Sequence, residues 1–324
     1  MMKKIIEKIK NNKSFLITSH INLEGDALGS ELAFYIVLKK LNKKVIIFNN
    51  DKTPFVYSFL PSIESIKNSI SNKEKFDVGI ILDCSDYSRI GKVKDYMIRQ
   101  TNCIINIDHH ISNTHFGDIN WVNPKAASTS CMLYDIFKKM KVINRNIALC
   151  LYTGIFTDTG GFTYANTTPY VHKIVYDLLH YKIYPYKINE YLESLCSVED
   201  LKLINKFLNT IKVDKKRKIC WLKIDKWEEK EYDLTEVIFS ILKLLKDIEL
   251  FIIFKSISKD KTRVNFRSRS FIDVNKIAKV FGGGGHKRAS GTTVDGTLDE
   301  VERKVISFIK KINYDKKRRN NFNK

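Results

Sequence analysis

The stretch Ile104-Ile105-Asn106-Ile107-Asp108-His109-His110 decides the reading of this chain. Aliphatic residues run straight into one carboxylate and two imidazoles. A short apolar run with that ending reads as a buried parallel strand that delivers polar side chains at its C-terminal edge. Open α/β sheets place their ligands at that edge. Taken alone, the ending also fits a capped strand followed by two surface histidines. Three further corners tip the balance. His20 is followed by Glu24 and Asp26, Ile80-Ile81-Leu82 runs into Asp83, and Gly154-Ile155-Phe156-Thr157 runs into Asp158.

Working outward, strands alternate with helices. A short helix is expected over 2–11 and a strand over Ser14–Ser19. A helix to about Leu41 follows, then strands over Val45–Phe48 and Phe76–Leu82. Helices are expected over Lys125–Lys141 and Asn144–Phe156, the first with Ser128, Thr129 and Ser130 near its start. This order predicts a parallel-sheet α/β domain. Thr168–Tyr181 and Ile188–Leu195 read as helices. The C-terminal part changes character, with strands near Lys218–Ile224, Glu249–Ser256 and Thr262–Ser268 and helices near Val274–Val280 and Leu298–Ile312. The expected organisation is an α/β domain over 1–185, a helical linker over 186–210, a smaller α+β domain over 211–313 and a basic tail over 314–324.

The 324 residues suffice for two ordinary cores, and the apolar content of 44% suits a globular protein. No run approaches the roughly 18–20 apolar residues that span a bilayer, so no membrane insertion is expected. The basic N-terminus lacks the apolar core of a secretory signal. Six scattered cysteines without a Cys-x-x-Cys pair imply free thiols and a cytoplasmic location. The formal net charge of +20 favours polyanionic partners. Part of it reflects the Lys-, Asn- and Ile-rich composition typical of an AT-rich genome.

The four corners together offer carboxylates and imidazoles but no thiolate. Such a donor set suits Mn²⁺ and related ions better than structural zinc. There are enough ligands for two ions if one carboxylate bridges, and paired ions are a common device for in-line attack on phosphorus. His-x-x-x-Glu-x-Asp, the lone Asp83, Asp108-His109-His110 and Asp158-Thr159-Gly160, in that order, resemble the four motifs of the DHH phosphoesterase superfamily. Phe266-Arg267-Ser268-Arg269-Ser270 and Phe281-Gly282-Gly283-Gly284-Gly285-His286-Lys287-Arg288 resemble its associated substrate-binding domain. The resemblance covers nearly the whole chain.

The resemblance implies one metal on His20, Glu24 and Asp83, and a second on Asp26, Asp83, His109 and Asp158, with Asp83 bridging. It implies two Mn²⁺ per chain. Asp108 would orient a ligand imidazole, and His110 would touch the substrate phosphate. Asp83, Asp108 and His110 thus form the expected catalytic set. Arg267, Gly283, Gly284, Gly285 and His286 would join His110 in substrate binding. A glycine run lets backbone N–H groups approach an anion. Arg269, two residues on from Arg267, would share its face in a regular strand. One departure stands out: the family usually reads Pro-Asp where this chain has Leu23-Glu24.

The implied activity is that of the nanoRNase/pAp-phosphatase branch: hydrolysis of short (oligo)nucleotides such as nanoRNA, pApA, cyclic di-AMP or pAp. Dimers occur among such relatives, so a homodimer is possible. The alternatives are a RecJ-like single-strand exonuclease and a non-catalytic nucleotide-binding regulator whose metal site has failed at Glu24. A manganese pyrophosphatase is disfavoured by the Gly-Gly-Gly-Gly-His segment.

Overall fold

The computed structural model describes residues 1–70, 74–193, 196–225, 234–285 and 287–311. It divides into two units, Met1–Leu195 and Cys196–Lys324. The first contains strands β1 (Ser14–Thr18), β2 (Lys44–Phe48), β3 (Ile66–Lys67), β4 (Val78–Leu82), β5 (Ile104–Asp108) and β6 (Ile119–Val122). Its helices are α1 (Met2–Asn11), α2 (Gly25–Lys40), α3 (Val93–Gln100), α4 (Thr129–Met140), α5 (Arg145–Asp158), α6 (Pro169–Leu179) and α7 (Pro185–Glu193).

All six strands pair in parallel, in the order β3-β2-β1-β4-β5-β6. A parallel sheet must be covered on both faces, and alternation along β1 shows how. Phe15 and Ile17 join the core under α1, α2, α4 and α5. Leu16 joins the opposite core with Val93 and Met97 of α3. β4 is buried at every position. The chain leaves β1 to build β2 and β3 on one side, then crosses back to β4 on the other. The gap between the carboxyl ends of β1 and β4 is therefore the topological switch point, where such sheets bind ligands.

α2 and α5 lie unusually close. A Cβ added to Gly29 would sit 2.4 Å from the Cys150 carbonyl oxygen, so only glycine permits this approach. The contact fixes the start of α2 against the end of α5, and each of those ends carries a candidate ligand.

The second unit contains α8 (Val198–Leu208), β7 (Lys212–Asp214), β8 (Ile219–Ile224), α9 (Leu234–Leu242), β9 (Leu250–Ser258), β10 (Lys261–Ser268), α10 (Val274–Val280), β11 (Gly284–Gly285), β12 (Ala289–Asp295) and α11 (Leu298–Lys311). Its sheet runs β11-β12-β10-β9-β8-β7, antiparallel except for the β8–β9 pair. α10 and α11 cover one face and α8 and α9 the other.

The mixed architecture is the expected one. Some boundaries differ for physical reasons. The helix expected from Lys125 begins at Thr129, because Ser128 accepts the Cys131 N–H and caps it. α3, β6 and β12 carry short or mainly polar patterns and were not expected, and neither was α9, although its sequence is mainly apolar. The stretch expected as a linker, 186–210, is shared between the units. Ile188 of α7 is buried in the first core, and Ile204 and Phe207 of α8 are buried in the second. The basic tail expected over 314–324 lies outside the described residues. No helix among them is long and apolar enough to cross a membrane.

Candidate metal centre

His20 leaves the end of β1, Asp83 the end of β4, and Asp108, His109 and His110 the end of β5. Glu24 and Asp26 stand at the start of α2, and Asp158 ends α5. The sheet thus gathers all eight residues at its carboxyl edge around the switch point. The ligating atoms of seven of them, all but Asp108, fall into three overlapping groups: His20 with Glu24 and Asp83, Asp26 with His109 and Asp158, and Asp83 with His109 and His110.

Asp83 lies at the centre and is fully buried. Its Oδ2 is 3.6 Å from His20 Nε2, and its Oδ1 is 3.4 Å from His109 Nε2 and 3.7 Å from His110 Nδ1. Its backbone is left-handed, with φ of 53°, a conformation that costs most residues but suits Asp better than most. Such positions concentrate at functional sites. His109 Nε2 is also 3.2 Å from Asp158 Oδ2. Glu24 occupies the N-cap of α2 with an extended backbone and makes no capping bond. Its longer side chain brings Oε1 to 3.7 Å from His20 Nε2. The Glu for Asp exchange therefore leaves the carboxylate facing the site.

Each histidine is held through its other ring nitrogen. Nδ1 of His20 lies 2.6 Å from the Ile21 carbonyl, and Nδ1 of His109 lies 3.3 Å from the Ala126 carbonyl. That leaves both Nε2 atoms aimed inward, as ligation requires. Asp108 faces His110 instead, with Oδ1 2.6 Å from His110 Nδ1. The imidazole it orients is thus the one expected at the substrate phosphate, while His109, the expected metal ligand, is held by the backbone. The other Asp108 oxygen accepts from Asn113 at 2.6 Å.

Three supporting residues, Thr129, Ser130 and Asn113, were not singled out from sequence for a place at the site. Thr129 touches two candidate ligands at once: its N–H donates to Asp26 Oδ2 at 2.6 Å and its hydroxyl donates to Asp83 Oδ1 at 3.0 Å. Ser130 N–H donates to Asp26 Oδ1 at 2.9 Å. Asp26 therefore sits on the exposed amides of the first turn of α4, where a carboxylate is favoured. The polar run at 128–130 signalled a helix start but not its partner. Asn113 gave no signal.

The charges of the site are unbalanced by protein groups alone. Burial would lower the His20 and His109 pKa values, but the carboxylates around them, Asp83 first, override it and raise them to about 10 and about 11. Burial, and then the Asp83 charge, pushes Asp26 up to about 6. Burial and Asp26 push Asp158 well above the carboxylate range. Burial opposes ionisation of Asp83 as well, yet His109 and His20 hold it well below that range. Without another cation, the imidazoles must be protonated to offset the carboxylates. Asp83 Oδ2 is buried and has no hydrogen-bond partner. Such an atom is costly unless something fills the position. A cation beside it does so, and the oxygen and nitrogen donor set fits a divalent ion.

The second unit carries the remaining expected residues. Arg267, on β10, pairs with Glu236 and lies 4.9 Å over the Phe239 ring, which fixes its guanidinium. Arg269 does not share that strand, because β10 ends at Ser268. It donates to the carbonyls of Lys243, Leu245 and Ile248 and so closes the end of α9. The glycines divide by role. Gly282 has φ of 75°, and Gly285 combines φ of 139° with a close approach to β12. A Cβ on Gly283 would lie 2.3 Å from the Gly291 oxygen. Gly284 is different: a Cβ there would meet only Asn275 Oδ1, at 3.9 Å. His286 lies outside the described residues.

With fold and site in view, the class is that of a metal-dependent hydrolase built on an open parallel sheet. The family model of the DHH family N-terminal domain matches residues 14–155, and that of the DHHA1 domain matches residues 218–314. The chain belongs to the DHH family, and it is a phosphoesterase. It is similar to the bifunctional oligoribonuclease and PAP phosphatase NrnA of Thermus thermophilus, with 28% identity over 91% of this chain and 88% of that protein. The protein of the same description from Bacillus subtilis is 26% identical over 94% of this chain and 96% of its own length. Among solved structures, an exopolyphosphatase-related protein from Bacteroides fragilis superposes with a TM-score of 0.89 and 25% identity, covering 95% of this chain and 94% of that one.

Proposed function

We propose that the protein is a two-metal, manganese-dependent phosphodiesterase that hydrolyses short (oligo)nucleotides such as nanoRNA, pApA, cyclic di-AMP or pAp, the last by release of a terminal phosphate. The observation that carries the reading is the buried, unpartnered Oδ2 of Asp83 amid three overlapping ligand groups. His20, Glu24 and Asp83 would hold one ion, and Asp26, Asp83, His109 and Asp158 the other. When bound, the ions supply an acidified water and a clamp for phosphate oxygens. The substrate class is supported by the printed descriptions of the Thermus and Bacillus relatives, which name an oligoribonuclease and a PAP phosphatase.

The protein's own residues prepare that chemistry. Asp108 and Asn113 fix the ring of His110 so that it meets the scissile phosphate in one orientation. Thr129 orients Asp83 and Asp26 together. In the second unit, Arg267 offers a pre-oriented cation, and Gly283, Gly284 and Gly285, with His286, offer backbone and imidazole donors to a nucleotide phosphate. The arrangement needs no strong side-chain base.

The test is turnover of the four substrates with Mn²⁺, alongside metal analysis of the purified protein. Activity on at least one substrate, with metal content near two per chain, is expected. A metal-replete protein inactive on all four would leave a nucleotide-binding role in its place.

A further inference from the structure

The edge of the first sheet opposite the candidate metal centre has a chemistry of its own. In a parallel-sheet unit each returning helix ends at the amino edge of the strands, so helix C-termini gather there. α1, α2 and α4 all end at this edge, with Lys8 and Lys10, Lys39 and Lys40, and Lys138 and Lys139 in their last turns. Between these ends lies a cleft of about 450 Å³, floored by Ile6, Leu41, Met140 and Val142 and rimmed by Lys10, Lys43 and Lys139.

Much of this charge has a structural use. Lysine in a last turn complements the helix dipole. Lys40 donates to the Val142 carbonyl, Lys138 pairs with Asp177, and Lys44 lies 3.8 Å from Glu74. Asp77 is occupied by the Lys13 and Ser14 amides. Among the described residues, Lys10, Lys43 and Lys139 form no ion pair, although Lys43 Nζ donates to the Lys10 carbonyl at 2.8 Å and keeps its full charge there. A helix end carries about half a negative charge, so three ends offset only part of those three full charges. Cations clustered around one cleft repel each other unless an anion joins them.

We infer that this amino edge binds a single-stranded nucleic acid through its phosphates, at a place distinct from the candidate metal centre. A lipid surface fits less well, because the apolar face of α1, Ile5, Ile6 and Ile9, is buried in the core and has nothing to insert. A five-residue strand spans roughly 17 Å, so a dinucleotide at the carboxyl edge cannot reach the lysines. Only a longer strand engages both edges. The inference does not rest on catalysis, since binding is read with metal chelated.

The experiment is fluorescence anisotropy of a labelled single-stranded 12-mer RNA in EDTA, titrated at several salt concentrations. The variants are full-length Lys10→Gln/Lys43→Gln/Lys139→Gln and a control, Lys202→Gln/Lys206→Gln/Lys259→Gln, in the second unit. Each phosphate contact on a single strand contributes about 0.7 to the slope of log K against log salt. The cleft variant should therefore lose about 2 from that slope and bind at least about tenfold more weakly at 0.1 M salt, while the control stays near the parent. Thermal melting confirms that both variants fold, and Lys10→Arg/Lys43→Arg/Lys139→Arg should restore binding. The inference is overturned if the cleft variant matches the control. It is equally overturned if RNA binding is unaltered while sedimentation with phosphatidylglycerol vesicles depends on these lysines.

Discussion

Thr129 is the residue through which the two halves of the site are aligned, since its amide serves Asp26 and its hydroxyl serves Asp83. Outer partners of ligating groups typically affect metal affinity or activity by about 10–100-fold. Thr129→Val keeps the shape and the amide but removes the hydroxyl donor. It should lower metal affinity and turnover within that range, and Thr129→Ser should restore both. Metal titration read by calorimetry, with parallel kinetics, checks this. Glu24 is the position where the chain leaves the family pattern. Glu24→Gln should lose most activity, because a neutral amide is a poor ligand for a divalent ion. Glu24→Asp should remain active with an altered Mn²⁺ requirement. Activity of the parent and both variants against Mn²⁺ concentration decides, and a Gln variant that tracks the parent throughout would remove Glu24 from the ligand set.

The same residues predict a proton signature. His20 and His109, raised to about 10 and about 11, carry protons at neutral pH in the metal-free protein. Ligation requires neutral imidazole, so metal binding near pH 7 should release the two imidazole protons, in addition to any held by Asp158, whose carboxyl is also raised. Their release should fade as pH rises through 10 and 11, where the metal-free protein has already lost them. Apparent metal affinity should therefore climb with pH below that range. Calorimetry in two buffers of different ionisation enthalpy measures the protons directly, and zero release would mean that metal binding displaces no proton from these imidazoles, overturning their protonated state in the metal-free protein.

At the scale of elements, the glycines of the second unit separate fold from binding. Gly283 packs against β12 so closely that a methyl group would collide with backbone, whereas Gly284 has room for one. Gly283→Ala should destabilise the second unit. Overpacking of this kind costs about 1–3 kcal/mol. Gly284→Ala should fold normally but weaken substrate handling, because its backbone would no longer approach the phosphate as closely. Melting temperature and kcat/KM, measured for both variants, distinguish these outcomes. If Gly284→Ala leaves kcat/KM unchanged, that backbone is not in the substrate site.

At the scale of the whole molecule, each unit has its own cores, and all the candidate metal ligands belong to the first. A ligand that binds only the folded state stabilises it by about 2.7 kcal/mol at a hundredfold excess over Kd. Mn²⁺ should therefore raise the unfolding transition of the first unit above its position in EDTA. If the units unfold separately, the transition of the second should stay in place. Differential scanning calorimetry with and without metal resolves the two cases. A single transition that moves as a whole would show that the units unfold together.

The sequence by itself determined the class of the first unit and nominated the residues that the fold gathers at its candidate metal centre. Apolar runs ending in Asp or His mark strand ends, and a parallel sheet brings such ends to one edge, so a one-dimensional pattern was enough to nominate His20, Asp83 and His109. The substrate residues were less legible. Arg267 and Arg269 look alike two residues apart, yet one sits over Phe239 while the other closes a helix, because β10 stops between them. β12 carries too few apolar residues to show a strand period and exists through its pairing with β10. Only the tertiary structure gave Asp108 to His110, put Thr129 on two carboxylates and collected the lysines of three helix ends around one cleft. Thr129 and its carboxylates, like the three helix ends, lie tens of positions apart, so local pattern does not show that they meet; Asp108 and His110 are two positions apart, but the run Asp108-His109-His110 does not show which ring turns to the carboxylate.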